Sequence, residues 1–442
     1  MTDSTAATTP DQPLPADAAV EKARPISAGS AERVASLDFI RGIAVLGILF
    51  ANITAFGQPY VAYLWPPAMG GGMTDGDQAV WLFQFIFVDG KFRGLFTLLF
   101  GAGIYLFMER AWARGAGRGL QARRLIFLML FGLVHYFLIW RGDILTLYAV
   151  WGLVALLMIN WKAKTQLIVG LIGVTLGGLL MTTLMAFQFA AAKMPEIRDQ
   201  MPPEAQEQIA NVGPKMMSGA QDELVLYQEG SYPDIVQATV QNEWGQLVSE
   251  LLFIGPVETL GLILIGMGLY RMGLFTGGIS RRKLVIWGWI GVIVGLISSY
   301  FAGQVAYSAG FPFMTTIFAF NGLGQLPHIA TAIGLLLLLA VWGPSAAQGW
   351  LGQRFVAAGR MAFSNYLGTS IIMMFVFHGW AGGLFGQLHR IELLGVVFAM
   401  WALMLLWSKA WLSAFRFGPL EWLWRCLTYG KLFPIRRTNA AA

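Results

Sequence analysis

Apolar residues do not alternate with polar ones along this chain. They run continuously for about twenty residues at a time, and polar clusters punctuate the runs. A run of roughly 20 apolar residues matches the hydrocarbon thickness of a bilayer. The pattern predicts ten spans, near 36–57, 92–110, 123–140, 143–160, 165–190, 246–270, 283–306, 326–342, 358–378 and 391–414. A further apolar piece, Ala79 to Val88, is too short to cross and reads as an interfacial or re-entrant helix near 79–90, ahead of Asp89. Continuous rather than alternating apolarity excludes a membrane β-barrel. The expected fold class is therefore an all-α polytopic membrane protein. Five regions follow: a disordered cytoplasmic tail over 1–33, an N-terminal membrane half over 34–190, an extracytoplasmic loop over 191–245, a C-terminal membrane half over 246–416, and a cytoplasmic tail over 417–442.

Composition agrees with the pattern. Of 442 residues, 56% are hydrophobic and 12% charged, against roughly 25% charged in soluble domains. Residues 1–33 are rich in Ala, Pro, Ser and Thr without apolar periodicity. No apolar stretch suited to a cleaved signal peptide precedes residue 30, so the first run is expected to remain as a span. The single cysteine, Cys426, excludes an intrachain disulfide, and no Cys/His spacing suggests a metal.

Charge sets the orientation. With the N-terminus inside, Arg110, Arg114, Arg118, Arg123, Arg124, Lys162, Lys164, Arg271, Arg281, Arg282, Lys283, Arg354, Arg360, Arg416, Arg425 and Lys431 all fall on the cytoplasmic side. Both termini are then cytoplasmic. The loop 191–245, with nine acidic residues against Lys193, Arg198 and Lys215, lies outside. Ala205–Val212 and Pro233–Trp244 have helical spacing within it. The net charge of +6 is spread over loops, which reads as topology and not as nucleic-acid binding.

Ionisable residues inside spans are the candidates for function, because lipid rejects them. His135 lies about three turns into span three and six residues before Arg141, about 9 Å along the axis. Its imidazole suits a general base, oriented by Asp143 or Asp89; a packing histidine that donates to a neighbouring helix is the alternative. Asp38, Arg41 and Asn52 share one face of span one; a local Asp–Arg anchor at the inner interface explains the first two equally well. In Asp89-Gly-Lys-Phe-Arg, Lys91 and Arg93 either hold an anion at a helix N-terminus or snorkel to headgroups. Arg360 and Ser364, and Asn365 and Thr369, are four apart, so each pair is expected on one helix face. His328, His378 and His389 sit at outer helix ends with Arg141, and Glu258 is an intramembrane acid with no evident partner.

Taken together, SLDFIRGIAVLGILFANI, KFRGLFTLLFGAG, GLVHYFLIWRGDILTLYA and AGRMAFSNYLGTS resemble the YeiB family of bacterial inner-membrane proteins, whose C-terminal part is the domain of unknown function 418. The resemblance runs from about Ser36 to Arg416. More distantly, the Leu37-Asp38-x-x-Arg41-Gly42 start is similar to transmembrane acyltransferases such as heparan-alpha-glucosaminide N-acetyltransferase. Those proteins move an acyl group from cytoplasmic acyl-CoA to an acceptor on the far side, using an intramembrane histidine. The resemblance implies an inner-membrane protein in which Asp38, Arg41, Lys91, Arg93, His135, Gly142, Asp143, Arg360, Ser364, Asn365 and Tyr366 are family positions.

Two functions are expected. In the first, an acyltransferase uses His135, Asp143 and Asp89 for catalysis. Asp38, Arg41, Asn52, Lys91, Arg93, Arg141, His328, Arg360, Ser364, Asn365 and Tyr366 then form the binding set, acyl-CoA is co-substrate with no resident cofactor, and a small-molecule or envelope acceptor receives the group. In the second, a transporter or permease lines a substrate path with the same residues. An envelope scaffold whose outer loop binds a partner is a third. The lipid bilayer is the surrounding partner in each, and homo-oligomerisation is compatible with all three.

Overall fold

The computed structural model describes residues 31–437. Most of the expected N-terminal tail, residues 1–30, lies outside the described residues. The first helix is already running at Ala31, three residues inside the expected tail.

The fold is all-helical. No strand occurs among the described residues, and one isolated antiparallel bridge pairs Phe415 with Arg436. In chain order the helices are α1 (Ala31–Gly57), α2 (Asp75–Phe87), α3 (Lys91–Trp112), α4 (Arg118–Leu138), α5 (Leu145–Leu157), α6 (Ala163–Lys193), α7 (Pro203–Glu229), α8 (Tyr232–Asn242), α9 (Trp244–Arg271), α10 (Arg281–Tyr307), α11 (Phe313–Leu323), α12 (Gln325–Ala346), α13 (Trp350–Arg360), α14 (Ala362–Phe377), α15 (Arg390–Ala414) and α16 (Pro419–Tyr429). Among the described residues eight segments are long and apolar enough to cross a bilayer, with α2 and α3 counted together as one.

Each of the ten expected spans corresponds to a helix, but two are short. Helix α5 has 13 residues and α14 has 16. At 1.5 Å per residue α5 reaches only about 20 Å. The missing depth before α5 is non-helical chain from Ile139 to Ile144, which is tolerated at depth only where protein buries it. The depth missing before α14 is taken up by a break at Met361, where α13 ends and the chain turns. That break corrects one expectation: Arg360 closes α13 while Ser364 opens α14, so the two do not share a continuous helix face.

The short apolar piece is α2. Thr74 caps it: the Thr74 hydroxyl accepts from the Asp77 amide at 3.2 Å, and Asp77 accepts from the Thr74 amide at 2.8 Å. Helix α2 ends at Val88, and Gly90, at φ 74°, turns the chain into α3. Trp81 and Phe85 are fully buried on α2, while Phe83 and Phe87 are exposed.

Helix α1 is the central element, 78% buried along its apolar window, against 22% for α6 and 28% for α10. The outward faces of α6 and α10 carry Leu176, Leu180, Phe187, Trp287, Ile297 and Phe301, a lipid-facing surface. Small residues let the central helices approach. A Cβ on Gly42 would come within 2.1 Å of the Phe355 carbonyl oxygen, and one on Gly359 within 1.8 Å of the Asp38 carbonyl oxygen. The α1–α13 crossing is therefore possible only with glycine on both helices, and it brings Asp38, Arg41 and Arg360 into one place.

Loop 191–245 contains the expected helical pieces, the first extended into the long α7. The loop docks on the membrane part at named points. Glu223 accepts from the Tyr60 amide at 3.0 Å, Gln228 donates to the Phe385 carbonyl at 2.8 Å, and the Tyr232 hydroxyl donates to the Leu138 carbonyl at 2.7 Å.

Candidate functional site

His135 sits in the last turn of α4 and is fully buried. Gly132, one turn earlier, leaves room for the returning chain: a Cβ there would meet Thr146 Oγ1 at 2.4 Å and Asp143 Oδ2 at 2.8 Å. The Arg141-Gly142-Asp143-Ile144 turn therefore lies directly against α4. The result is a dyad. His135 Nδ1 and Asp143 Oδ1 are 2.9 Å apart, and Asp143 Oδ2 accepts from the Thr146 amide at 2.7 Å at the start of α5. With both carboxylate oxygens engaged, Asp143 fixes the imidazole and leaves Nε2 to react. Nε2 is buried and has no hydrogen-bond partner. Of the two carboxylates expected to orient His135, Asp143 does so. Asp89 does not; it accepts from the Tyr63 hydroxyl at 3.3 Å instead.

Tyr366 packs against the dyad. Its ring centroid is 5.2 Å from that of His135. Its hydroxyl donates to the Gly142 carbonyl at 3.2 Å and accepts from the Ile144 amide at 3.2 Å. The phenol thus holds both flanks of Asp143.

On the other side of Tyr366 lies a cavity of about 570 Å³. Its rim carries Arg41, Arg110, Arg124, Arg360, Arg416 and Arg425, with Asp38 and Glu421 among them. Its deep wall is apolar, built from Leu99, Phe100, Ile104, Leu125, Leu128 and Leu145. It ends at Ile144, Tyr148 and Tyr366. Several rim cations are held in place by neighbours. Arg41 pairs with Asp38 at 2.7 Å, Arg124 stacks 4.2 Å over the Trp424 ring, and Arg360 donates to the Arg416 carbonyl at 3.2 Å. Arg123 lies outside the cavity, over the Phe127 ring.

Helix α16 closes one wall of the cavity. Its Glu421 caps α14, accepting from the Phe363 amide at 2.8 Å and the Ser364 amide at 3.0 Å, and from the Ser364 hydroxyl. Burial pushes the Glu421 carboxyl above its usual range, and the Ser364 hydrogen bonds oppose the shift. Ser364 is thus a latch for α16. Glu421, Trp424 and Arg425 escaped sequence reasoning. Helix α16 is amphipathic and lies after the last span, so only its packing reveals that it belongs to the cavity.

Other expected site residues have architectural roles. Arg93 donates twice to Glu258, at 2.8 and 2.9 Å, which supplies the partner that Glu258 lacked in the sequence. Lys91 is fully buried; its ammonium donates to the Phe85 carbonyl and lies 5.5 Å from the Phe85 ring. Neither cation is an open anion site, and Lys91 does not snorkel. Arg141 pairs with Glu223 at 2.8 Å and with Glu243, and lies 4.6 Å over the Tyr60 ring, so it ties the outer loop down. His328 packs on Phe85 and Phe320, away from the dyad. His378 accepts from the Trp380 indole at 3.3 Å, and His389 Nδ1 lies 2.9 Å from Asp77 Oδ2. Asn365 is glue between α13, α14 and α15: it donates to the Ala358 carbonyl at 3.0 Å and accepts from the Trp407 indole at 2.8 Å. Asn52 is separated from Asp38 and Arg41; it borders a void of about 10 Å³ shared with Tyr366, Thr369 and Ser370. Among the described residues no group of His, Cys, Asp and Glu could hold a metal.

These features define a polytopic helical membrane protein with a basic-rimmed cavity that stops one aromatic ring short of a buried His–Asp dyad. The chain belongs to the YeiB family. It is 31% identical over 404 residues to "Uncharacterized protein YeiB" of Escherichia coli (strain K12), covering 90% of this chain and 96% of that protein. It is also 31% identical over 428 residues to "Uncharacterized protein YxaH" of Bacillus subtilis (strain 168), covering 92% of this chain and 96% of the relative. Residues 269–431 match the family described as Protein of unknown function (DUF418).

Proposed function

We propose that the protein is an acyltransferase of the bacterial inner membrane that takes an acyl group from cytoplasmic acyl-CoA and passes it to an acceptor hydroxyl or amine on the outer side. The observation that carries this reading is the cavity itself. Six arginines suit the phosphates of an anionic donor, the apolar depth suits its pantetheine arm and acyl group, and the inner end adjoins His135–Asp143. Positive-inside loop charge supports a cytoplasmic rim and an outer acidic loop.

In this reaction the acceptor oxygen or nitrogen attacks the thioester carbonyl while His135 Nε2 takes its proton. Asp143 holds Nδ1–H and stabilises the imidazolium. The carbon–sulfur bond then breaks, and the proton passes from His135 to the departing thiolate, which leaves as coenzyme A. A general base contributes roughly 10²–10⁴ in rate. The test uses purified full-length protein and its His135→Ala variant with acetyl-CoA and candidate sugar or lipid acceptors. Thioester consumption falling by about that factor is the expected result; equal turnover overturns the assignment.

A second reading is a transporter, favoured by one observation: the cavity opens at one end and Tyr366 shuts it at the other, as in a carrier open to one side. Coenzyme A raising the melting temperature of the solubilised protein supports the enzyme. Solute movement in vesicles without thioester consumption supports the carrier.

A further inference from the structure

We propose that Tyr366 is the gate of the transfer site: a hinged wall whose turn joins the basic cavity to His135 and to a small void beyond it. Tyr366 alone among the dyad's neighbours borders both the large cavity and the small, mostly apolar void lined by Val45, Ile48, Leu49, Phe56 and Asn52. The void, about 10 Å³, is close to the space of one water molecule.

The present position of the ring is a closed one. His135 is fully buried and absent from the cavity lining, so no ligand in the cavity touches it. His135 Nε2 is nonetheless an unpartnered polar atom. Leaving a buried polar nitrogen unsatisfied is costly, and the cost is recovered only if a partner reaches it. The ring is buried in the apolar core, and only its hydroxyl ties it to the turn that carries Asp143. Its hydroxyl makes two 3.2 Å bonds: the one to the Gly142 carbonyl is long for O–H···O, and the one from the Ile144 amide is at the upper end for N–H···O. Two short helices meet here: α14 starts only after the break at Met361, and α5 starts only after the turn at Gly142–Ile144. The backbone on each side of the phenol is therefore at a helix end, where small rotations are least restrained.

This role rests on the transferase reading for its chemistry, but the test needs no turnover. Diethylpyrocarbonate adds to accessible imidazole nitrogen, and mass spectrometry of the His135 peptide reads the rate in detergent-solubilised full-length protein. In the parent, His135 labels slowly. In Tyr366→Phe the ring remains and only the hydroxyl clamp is lost. His135 then labels about five- to tenfold faster, the factor that loss of a buried hydrogen bond places on an opening equilibrium. Tyr366→Ala labels faster still. Phe363→Ala widens the same cavity away from the dyad and leaves the His135 rate at the parent value. The rates at His378 and His389 report folding and stay unchanged in every variant. Tyr366→Phe labelling at the parent rate overturns the gate, as does acceleration equal to that of Phe363→Ala. If His135→Ala retains full turnover while these rates behave as stated, the gate stands and the acyltransferase reading falls.

Discussion

The two ends of the molecule use the same residues in opposite ways. At the rim, arginines from α1, α3, α4, α13 and α16 surround open space of about 570 Å³. At the other end, Lys91, Arg141 and Arg390 are closed in by carboxylates and carbonyls of the protein itself. Arg390 shows this most fully. It is 1% exposed, and its guanidinium donates to Gln84 at 2.8 Å and to the carbonyls of Ala62 and Tyr63 at 2.6 and 2.9 Å. Its own amide donates to Asp77 at 2.7 Å, which in turn faces His389. The difference teaches that a cation in a membrane protein is a site candidate only where its partners leave space. Where the fold itself fills the space around the cation and accepts most of its hydrogen bonds, the cation is a fastener.

The largest expected effect breaks the fastener end. Arg390→Ala leaves Gln84 and two buried carbonyls without donors, which costs roughly 3–5 kcal/mol. A thermal melt in detergent should show a large drop; a loss within error would mean that the network is solvated and the contrast false. Arg41→Ala combined with Arg360→Ala sharpens the other side. Both residues border open space, although Arg41 pairs with the buried Asp38, so stability should fall by less than in Arg390→Ala, while coenzyme A binding, read by calorimetry, should weaken by at least about tenfold for two lost phosphate contacts. Strong destabilisation with unchanged binding would make the rim structural too.

The smallest effect concerns Glu421. Its carboxyl is raised in the folded protein, burial being the main cause. A group with a raised folded value contributes stability that is present below its unfolded range and lost as pH rises through the folded value. Docking of α16 should therefore tighten on acidification from neutral pH, visible as slower amide exchange over Pro419–Tyr429. In Glu421→Gln that pH dependence should vanish. An unchanged profile would show that another group controls the latch.

Much of the fold was legible in the sequence. The apolar runs marked the long helices, and the polar Arg141-Gly142-Asp143 cluster marked the boundary between two of them. The dyad was half legible. His135 stood out because lipid rejects it, yet Asp89 and Asp143 were equal candidates as its partner. Gly132, which admits the 143–146 turn, decides between them. The pairing of Arg93 with Glu258, 165 residues apart, had no local signal. Neither did the role of α16, whose amphipathic pattern fits a helix lying anywhere on the surface.

The sequence by itself determined class and helix positions, and it set an expectation for the side of each basic loop. All three follow from the cost of placing polar groups in hydrocarbon, a property of each segment alone. Which polar residues face each other was decided by tertiary structure. That depends on how closely helices approach, and close approach is set pairwise, by Gly42 against Phe355, Gly359 against Asp38 and Gly132 against Thr146. No single segment contains that information, so the cavity, its gate and its latch emerge only when the helices are packed.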